Sequence, residues 1–219
     1  MAIETTYFTG TTADSNRNEV RAWLNTNATD YFSQISTPAG STAIQCKIGG
    51  VTALTIDTNT NNYIFFATLK NGMNDYRFTK WGTDHRFTRA VKTSCGILLY
   101  VNNIDNIFIT KNTDGGVIFA GYHSTGNSTY GATIGDFAND SAFKGMGGSN
   151  GTGFTANQLK DVGVRSAGRT ALVPAVTDAG TYSDNLFFVP FTQFIGQSGI
   201  TIDVDGTKYV YNGVFALKE

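Results

Sequence analysis

The sequence predicts a mainly β protein: an antiparallel β-sandwich or barrel-like body with one N-terminal helix. Three observations carry that reading. Short runs of alternating apolar and polar residues recur along the chain. Corners containing Gly, Asn or Asp separate them about every 8–12 residues, the spacing of a sandwich or barrel. The composition suits such a body: of 219 residues, 41% are hydrophobic and 13% aromatic, and Thr, Asn and Gly make up about a third. Thr is β-branched and fits the pleated sheet, while Asn and Gly tolerate the left-handed backbone of tight turns.

The elements follow in order. Residues 1–14 are Thr-rich and unpatterned and read as an arm or an edge strand. Residues 15–35 are the clear helix candidate. Ser15 or Asp14 can cap it, and Glu19 stands where a capping-box acid would serve Asn16. Val20, Trp23, Leu24, Asn27, Tyr31 and Phe32 form one stripe near i, i+3, i+4 spacing. Asn25, Thr26, Asn27 and Thr29 are weak helix formers, so the helix is expected to be short or broken near Asn25, and Pro38-Ala39-Gly40 ends it.

From Ser41 the period changes to two. Thr42–Ile48 and Val51–Asp57 alternate on either side of Gly49-Gly50, a hairpin signal. Tyr63–Leu69 has a continuous apolar centre, as a strand buried on both faces would have. Tyr76–Trp81 and Phe87–Val91 read as a further pair around Gly82-Thr83-Asp84. Gly96–Val101, Ile107–Thr110 and Val117–Ala120, turned at Asn102-Asn103 and Asp114-Gly115-Gly116, predict a three-strand meander. Pro190 splits the apolar runs Leu186–Val189 and Phe191–Ile195, which argues for an edge or a bend. Asp205-Gly206 and Asn212-Gly213 are two-residue hairpin corners in the tail. No internal repeat is visible.

This divides the chain into an arm and helix (1–40), core strands of the sandwich (41–122), a Gly/Ser/Asn-rich long loop or linker (123–157), and C-terminal strands completing the same domain (158–219). A loop of that length is commonly functional or mobile.

Charge narrows the function classes. Charged residues are 15% of the chain, with 16 Lys and Arg against 17 Asp and Glu, a net charge of −1. That offers no electrostatic basis for binding nucleic acid or an anionic membrane. No apolar run approaches the roughly 20 residues that span a bilayer. The N-terminus, Met-Ala-Ile-Glu-Thr-Thr, lacks the basic and apolar regions of a signal peptide, so folding in a cytoplasm is expected. Cys46 and Cys95, both in apolar strand-like runs, fit either two free buried thiols or a single bridge.

Candidate chemistry is sparse. His85 and His123 come without a nucleophile signature such as a GxSxG elbow. Asp136, Asp140, Asp161 and Asp178 are loop carboxylates that fit turn capping as well as acid–base work. Asp203-Val204-Asp205-Gly206 lacks the remaining ligands of a calcium loop and reads as a hairpin corner. Gly145-Met146-Gly147-Gly148 follows Lys144, which is not placed as in a phosphate-binding loop. The sequence therefore predicts no catalytic residues, no metal and no cofactor.

Two groups of residues stand out as surfaces. Tyr76, Trp81 and Phe87 cluster in sequence, and an exposed aromatic row can stack on sugar rings. Trp23, Leu24, Tyr31 and Phe32 on the helix stripe could pack against a neighbouring protein, or could cover an open face or edge of the chain's own sheet.

The C-terminal run Ile200-Thr201-Ile202-Asp203-Val204-Asp205-Gly206-Thr207-Lys208-Tyr209-Val210-Tyr211-Asn212-Gly213-Val214-Phe215-Ala216-Leu217-Lys218-Glu219 resembles the terminal hairpins of tailed-bacteriophage virion proteins. Fibre, neck and capsid-decorating components are among them. The Thr/Asn/Gly-rich composition is similar as well. The resemblance implies a non-enzymatic structural subunit assembled in a host cytoplasm and displayed on the virion, forming a homo-oligomer, a trimer by preference. Its partners would be other virion proteins. The alternative is a carbohydrate-binding or host-receptor-binding module contacting a cell-surface glycan.

Overall fold

The computed structural model describes residues 3–57, 63–68, 74–79, 86–101, 105–126, 129–137, 144–146, 154–155, 172–176, 182–189, 200–211 and 215–219. It is mainly β, with three antiparallel sheets and, among the described residues, a single helix.

The chain opens with β1 (Glu4–Tyr7) and α1 (Ala13–Asn27). It then lays down β2 (Gln34–Ser36), β3 (Ala43–Ile48), β4 (Val51–Asp57), β5 (Tyr63–Thr68) and β6 (Asn74–Thr79), which pair in sequence order as one sheet. The next strands are β7 (Phe87–Lys92), β8 (Gly96–Val101), β9 (Asp105–Lys111), β10 (Val117–Gly126), β11 (Thr129–Asp136), β12 (Lys144–Met146) and β13 (Phe154–Thr155). They form the central sheet, in the order β1-β7-β8-β9-β10-β11-β12 with β13 also on β11, so β1 returns to its edge. Finally β14 (Val173–Val176), β15 (Tyr182–Phe188), β16 (Ile200–Val204), β17 (Thr207–Tyr211) and β18 (Phe215–Lys218) make the C-terminal sheet, in the order β14-β15-β18-β17-β16.

Period-two alternation sorts the central strands into two cores. Ile97, Leu99, Ile107, Ile109, Val117 and Phe119 lie in one cluster with Val20 and Leu24 of α1, Phe32 beyond its end, and Ile44, Cys46, Leu54 and Ile56 from β3 and β4. Their neighbours in sequence, Leu98, Tyr100, Phe108, Ile118 and Ala120, lie in a second cluster with Leu186, Val210, Phe215 and Leu217 of the C-terminal sheet. The register agrees: Leu98 pairs with Phe108 and Phe108 with Ala120, while Ile97 pairs with Ile109 and Ile109 with Phe119. The central sheet is thus buried on both faces, which is why β8, β9 and β10 are continuous apolar runs. Full burial of each large side chain stabilises by about 1.5–3 kcal/mol, so this sheet holds the main driving force for folding. A third cluster of Val189, Ile202, Tyr211 and Ala216 lies in the C-terminal sheet beyond the second core. There Phe187 meets Tyr209 edge-to-face at 5.5 Å, and burial pushes the Tyr211 hydroxyl pKa up.

The sandwich expectation holds, with a third layer added. The Gly49-Gly50 hairpin forms as expected; both glycines have positive φ, 58° and 84°, as a two-residue type I′ turn requires. The meander β8–β9–β10 and the Asp205-Gly206 hairpin also form. Both cysteines are free, Cys46 buried and Cys95 half-buried.

Three expectations are corrected. The helix starts earlier and ends earlier than residues 15–35. Thr12 is its cap, exchanging hydrogen bonds with Ser15 in a capping box, so neither Asp14 nor Ser15 caps it and Glu19 is not the box acid. It survives past Asn25 because Asn25, Thr26 and Asn27 donate side-chain hydrogen bonds back to the carbonyls of Arg21, Ala22 and Trp23. It is short, as the weak helix formers predict, ending at Asn27 just beyond Asn25 and well before Pro38. Second, 74–79 and 87–92 are not a pair: β6 pairs with β5 in one sheet and β7 with β1 and β8 in another. Third, 123–157 is not simply a loop. β10 runs on to Gly126, and β11 pairs with it from Asp136 back to Thr129. Glycine-rich composition signals a loop only while no neighbour offers a ladder; here β10 and β11 offer one to each other. The boundary expected at 122/123 falls inside β10. The Asn71-Gly72, Asn102-Asn103 and Asn212-Gly213 corners and residues 158–171 and 190–199 lie outside the described residues.

Phe108 is fully buried between the central and C-terminal sheets. Phe108→Ala is expected to destabilise the protein by about 3–5 kcal/mol in urea unfolding, through lost burial and a residual cavity.

Candidate functional site

A few polar side chains hold the N-terminal segment to the central sheet. Asn16 occupies the stripe position four residues before Val20 and is only 1% exposed. Its Nδ2 donates to the Phe87 carbonyl at 2.9 Å, and its Oδ1 accepts from the Phe87 N–H at 3.0 Å. One amide thus satisfies both backbone groups at the start of β7.

Glu19 secures the loop between β1 and α1. Its Oε2 accepts from the Thr9 and Gly10 N–H groups at 2.8 and 2.9 Å, and its Oε1 from the Thr9 hydroxyl at 3.1 Å. The Gly10 N–H holds the Glu19 carboxyl below its ordinary value; partial burial opposes this, and the Thr9 donors add to it. Arg86 adds a further hold on the loop, donating to the Thr11 carbonyl at 2.6 Å. Gly10 fits because a Cβ there would lie 2.5 Å from the Asn16 backbone nitrogen. At the far end of α1, Lys92 of β7 donates to Asn27 Oδ1 at 3.2 Å, placing a cation beside the helix C-terminus.

The helix-stripe residues expected to meet a neighbour sit in this frame. Leu24 is fully buried and Phe32 is 4% exposed, stacked on Phe119 with ring centroids 6.2 Å apart. Both are used in the chain's own core, which corrects their assignment as partner contacts. The stripe covers the chain's own sheet. Trp23 and Tyr31 are half-buried against the same core. The Trp23 indole donates to Thr6 Oγ1 at 3.1 Å, tying helix to β1. Burial, with the nearby Asp30 and Cys95, pushes the Tyr31 hydroxyl to about 12.

The aromatic cluster separates. Phe87 is 4% exposed in the first core and cannot stack on a sugar. Tyr76 stands on β6 at the edge of its sheet, opposite Phe66. Trp81, His85, Asp140, Asp161 and Asp178 lie outside the described residues. His123 pairs with Gly131 on β10–β11, and Asp136 with Ile118. Asp203 turns its carboxylate onto its own hairpin, accepting from the Gly206 N–H at 3.0 Å.

Sequence reasoning missed the clamp of Asn16, Glu19 and Arg86. One signal was available: a polar Asn on the apolar stripe, in phase with Val20 and Leu24. Among the described residues, no group of three or more His, Cys, Asp or Glu is placed to hold a metal, and no helix is long and apolar enough to cross a membrane. The largest exposed apolar surface among them belongs to Tyr7, 69% exposed on β1.

Asn16→Ala is expected to cost about 2–4 kcal/mol in urea unfolding, because it leaves a buried N–H and C=O of Phe87 without partners. Glu19→Gln tests the loop clamp. With its pKa lowered in the folded state, the Glu19 carboxylate stabilises the fold above its ordinary value near 4.5 and loses that contribution as pH falls through the lowered value. The stability difference between wild type and Glu19→Gln should therefore be full at neutral pH and close under acid. For a group still largely screened by water it stays below about 1 kcal/mol. Comparison of the chain with protein-family models, with curated proteins and with solved structures finds no match.

Proposed function

We propose that this chain is a non-enzymatic structural subunit of a tailed-bacteriophage virion, acting through protein–protein contacts in capsid decoration or in a tail or fibre. The observation that carries the reading is the central sheet packed on both faces between two further sheets. Such a stack suits a component that must keep its shape while neighbours bear on it. The polar groups at the N-terminus support it: Asn16, Glu19 and Arg86 all bind the chain's own backbone. The near-neutral, Thr- and Asn-rich composition suits a particle surface that avoids indiscriminate binding to nucleic acid. The hairpin at Asp205-Gly206 supplies the terminal style of such subunits. In this role the protein assembles in the host cytoplasm as a closed homo-oligomer, with a trimer the favoured state.

The test is location. Particles purified from cells producing the chain are probed by negative-stain microscopy with gold-labelled antibody against it. Label at repeated positions on the particles is expected; unlabelled particles, with the chain left in the soluble fraction, overturn the proposal.

A further inference from the structure

The ends of the three sheets are guarded unequally. An unpaired strand edge invites another strand, and proteins blunt it with charge, proline, a bulge or brevity. β2 and β12 are three residues long and β13 two. β14 carries Pro174 and a register shift. β6 carries Asp75 and Arg77, and β16 carries Asp203 in its interior. β1 is different. All four of its residues are exposed, its charge (Glu4) sits at its end, and Thr5-Thr6-Tyr7 are uncharged β-formers.

The ladder shows which backbone groups face outward. Phe8 N–H donates to the Thr88 carbonyl at 2.9 Å, and β1 pairs with β7 as Glu4 with Lys92, Thr5 with Val91, Thr6 with Ala90 and Tyr7 with Arg89. In an antiparallel pair, hydrogen-bonded and non-hydrogen-bonded positions alternate. Phe8, Thr6 and Glu4 therefore turn their N–H and C=O groups toward β7, while those of Thr5 and Tyr7 point away from it.

We infer that β1 is a self-pairing edge: its occupant is β1 of a second copy, joined antiparallel about a twofold axis at Thr6. In that register Thr5 of each copy exchanges both main-chain hydrogen bonds with Tyr7 of the other. The side-chain pairs are of favourable kinds, aromatic on β-branched for Tyr7 with Thr5 and hydroxyl on hydroxyl for Thr6 with Thr6. The two Glu4 carboxylates fall at opposite ends, so no like charges face each other. Two central sheets become one continuous sheet. The contact is small beside the roughly 800 Å² per partner of a stable interface, so pairing is weak in dilute solution and strengthens where copies are held close together. It rests on the edge of β1, not on the proposed function, and can act between single chains or between closed oligomers.

Thr5→Pro tests it. Proline removes the outward Thr5 N–H, which the β7 ladder does not use, and proline is tolerated on an edge strand in that orientation. Sedimentation of the wild-type chain from about 10 µM to about 1 mM should show the weight-average mass doubling. Thr5→Pro should abolish that doubling, and Thr5→Val should keep it. Amide exchange on the wild type gives a reading independent of how the variant folds. The Thr5 and Tyr7 amides should gain protection at high concentration, while Thr6 stays protected throughout. A mass that does not change with concentration, a doubling that Thr5→Pro leaves intact, or Thr5 and Tyr7 amides equally fast at both concentrations overturns the inference. The role in the particle is read separately: a chain that labels virions yet fails these tests keeps the proposed function and loses the β1 pairing.

Discussion

The structure depends on one constraint: the central sheet must hide both of its faces. The strands β8, β9 and β10 send alternate side chains into different cores, so their apolar residues need partners both above and below. Neither outer layer suffices alone. The helix with β3 and β4 covers one face, and the C-terminal sheet covers the other. The order of the chain follows from this. One covering layer is laid down before the central strands and the other after them, with β1 returning to the β7 edge from the start of the chain.

Within that frame the polar side chains at the N-terminus close joints. Asn16 is buried because both of its amide atoms are matched to one backbone unit, so it meets the demand that buried polar groups be satisfied. Glu19 and Arg86 both hold the loop, each through backbone groups. The clamp also fixes β1, whose free edge is the least guarded of the described sheet edges. A fixed strand with unspent outward hydrogen-bonding groups is better prepared for pairing than a mobile one, since less ordering entropy remains to be lost on contact.

Much of the local structure was legible. Glycines in the Gly49-Gly50 corner, the Asp205-Gly206 corner and the alternation on either side of each marked two hairpins correctly, because two-residue turns and their strands are set by neighbours in sequence. The helix was legible, and so was its short length from the weak formers near Asn25, but its start was not, because Thr12 lies outside the apolar stripe. The site was hardly legible. Asn16 showed only as a polar residue out of place on a stripe, while its partner Phe87 lies 71 positions away in sequence. Phe87 itself looked like part of an aromatic surface, since a window of sequence registers aromatic content and not the face it turns to.

The sequence by itself determined the class of the fold, the position of its helix and several of its corners, because propensity and alternation act over a few residues. Only the tertiary structure decided that β6 and β7 belong to different sheets, that the glycine-rich stretch beyond Tyr122 continues as paired strand, and that Leu24 and Phe32 face inward. Those outcomes turn on which distant strand supplies a hydrogen-bonding edge and which layer covers an apolar face, and distant partners leave no local mark in the sequence.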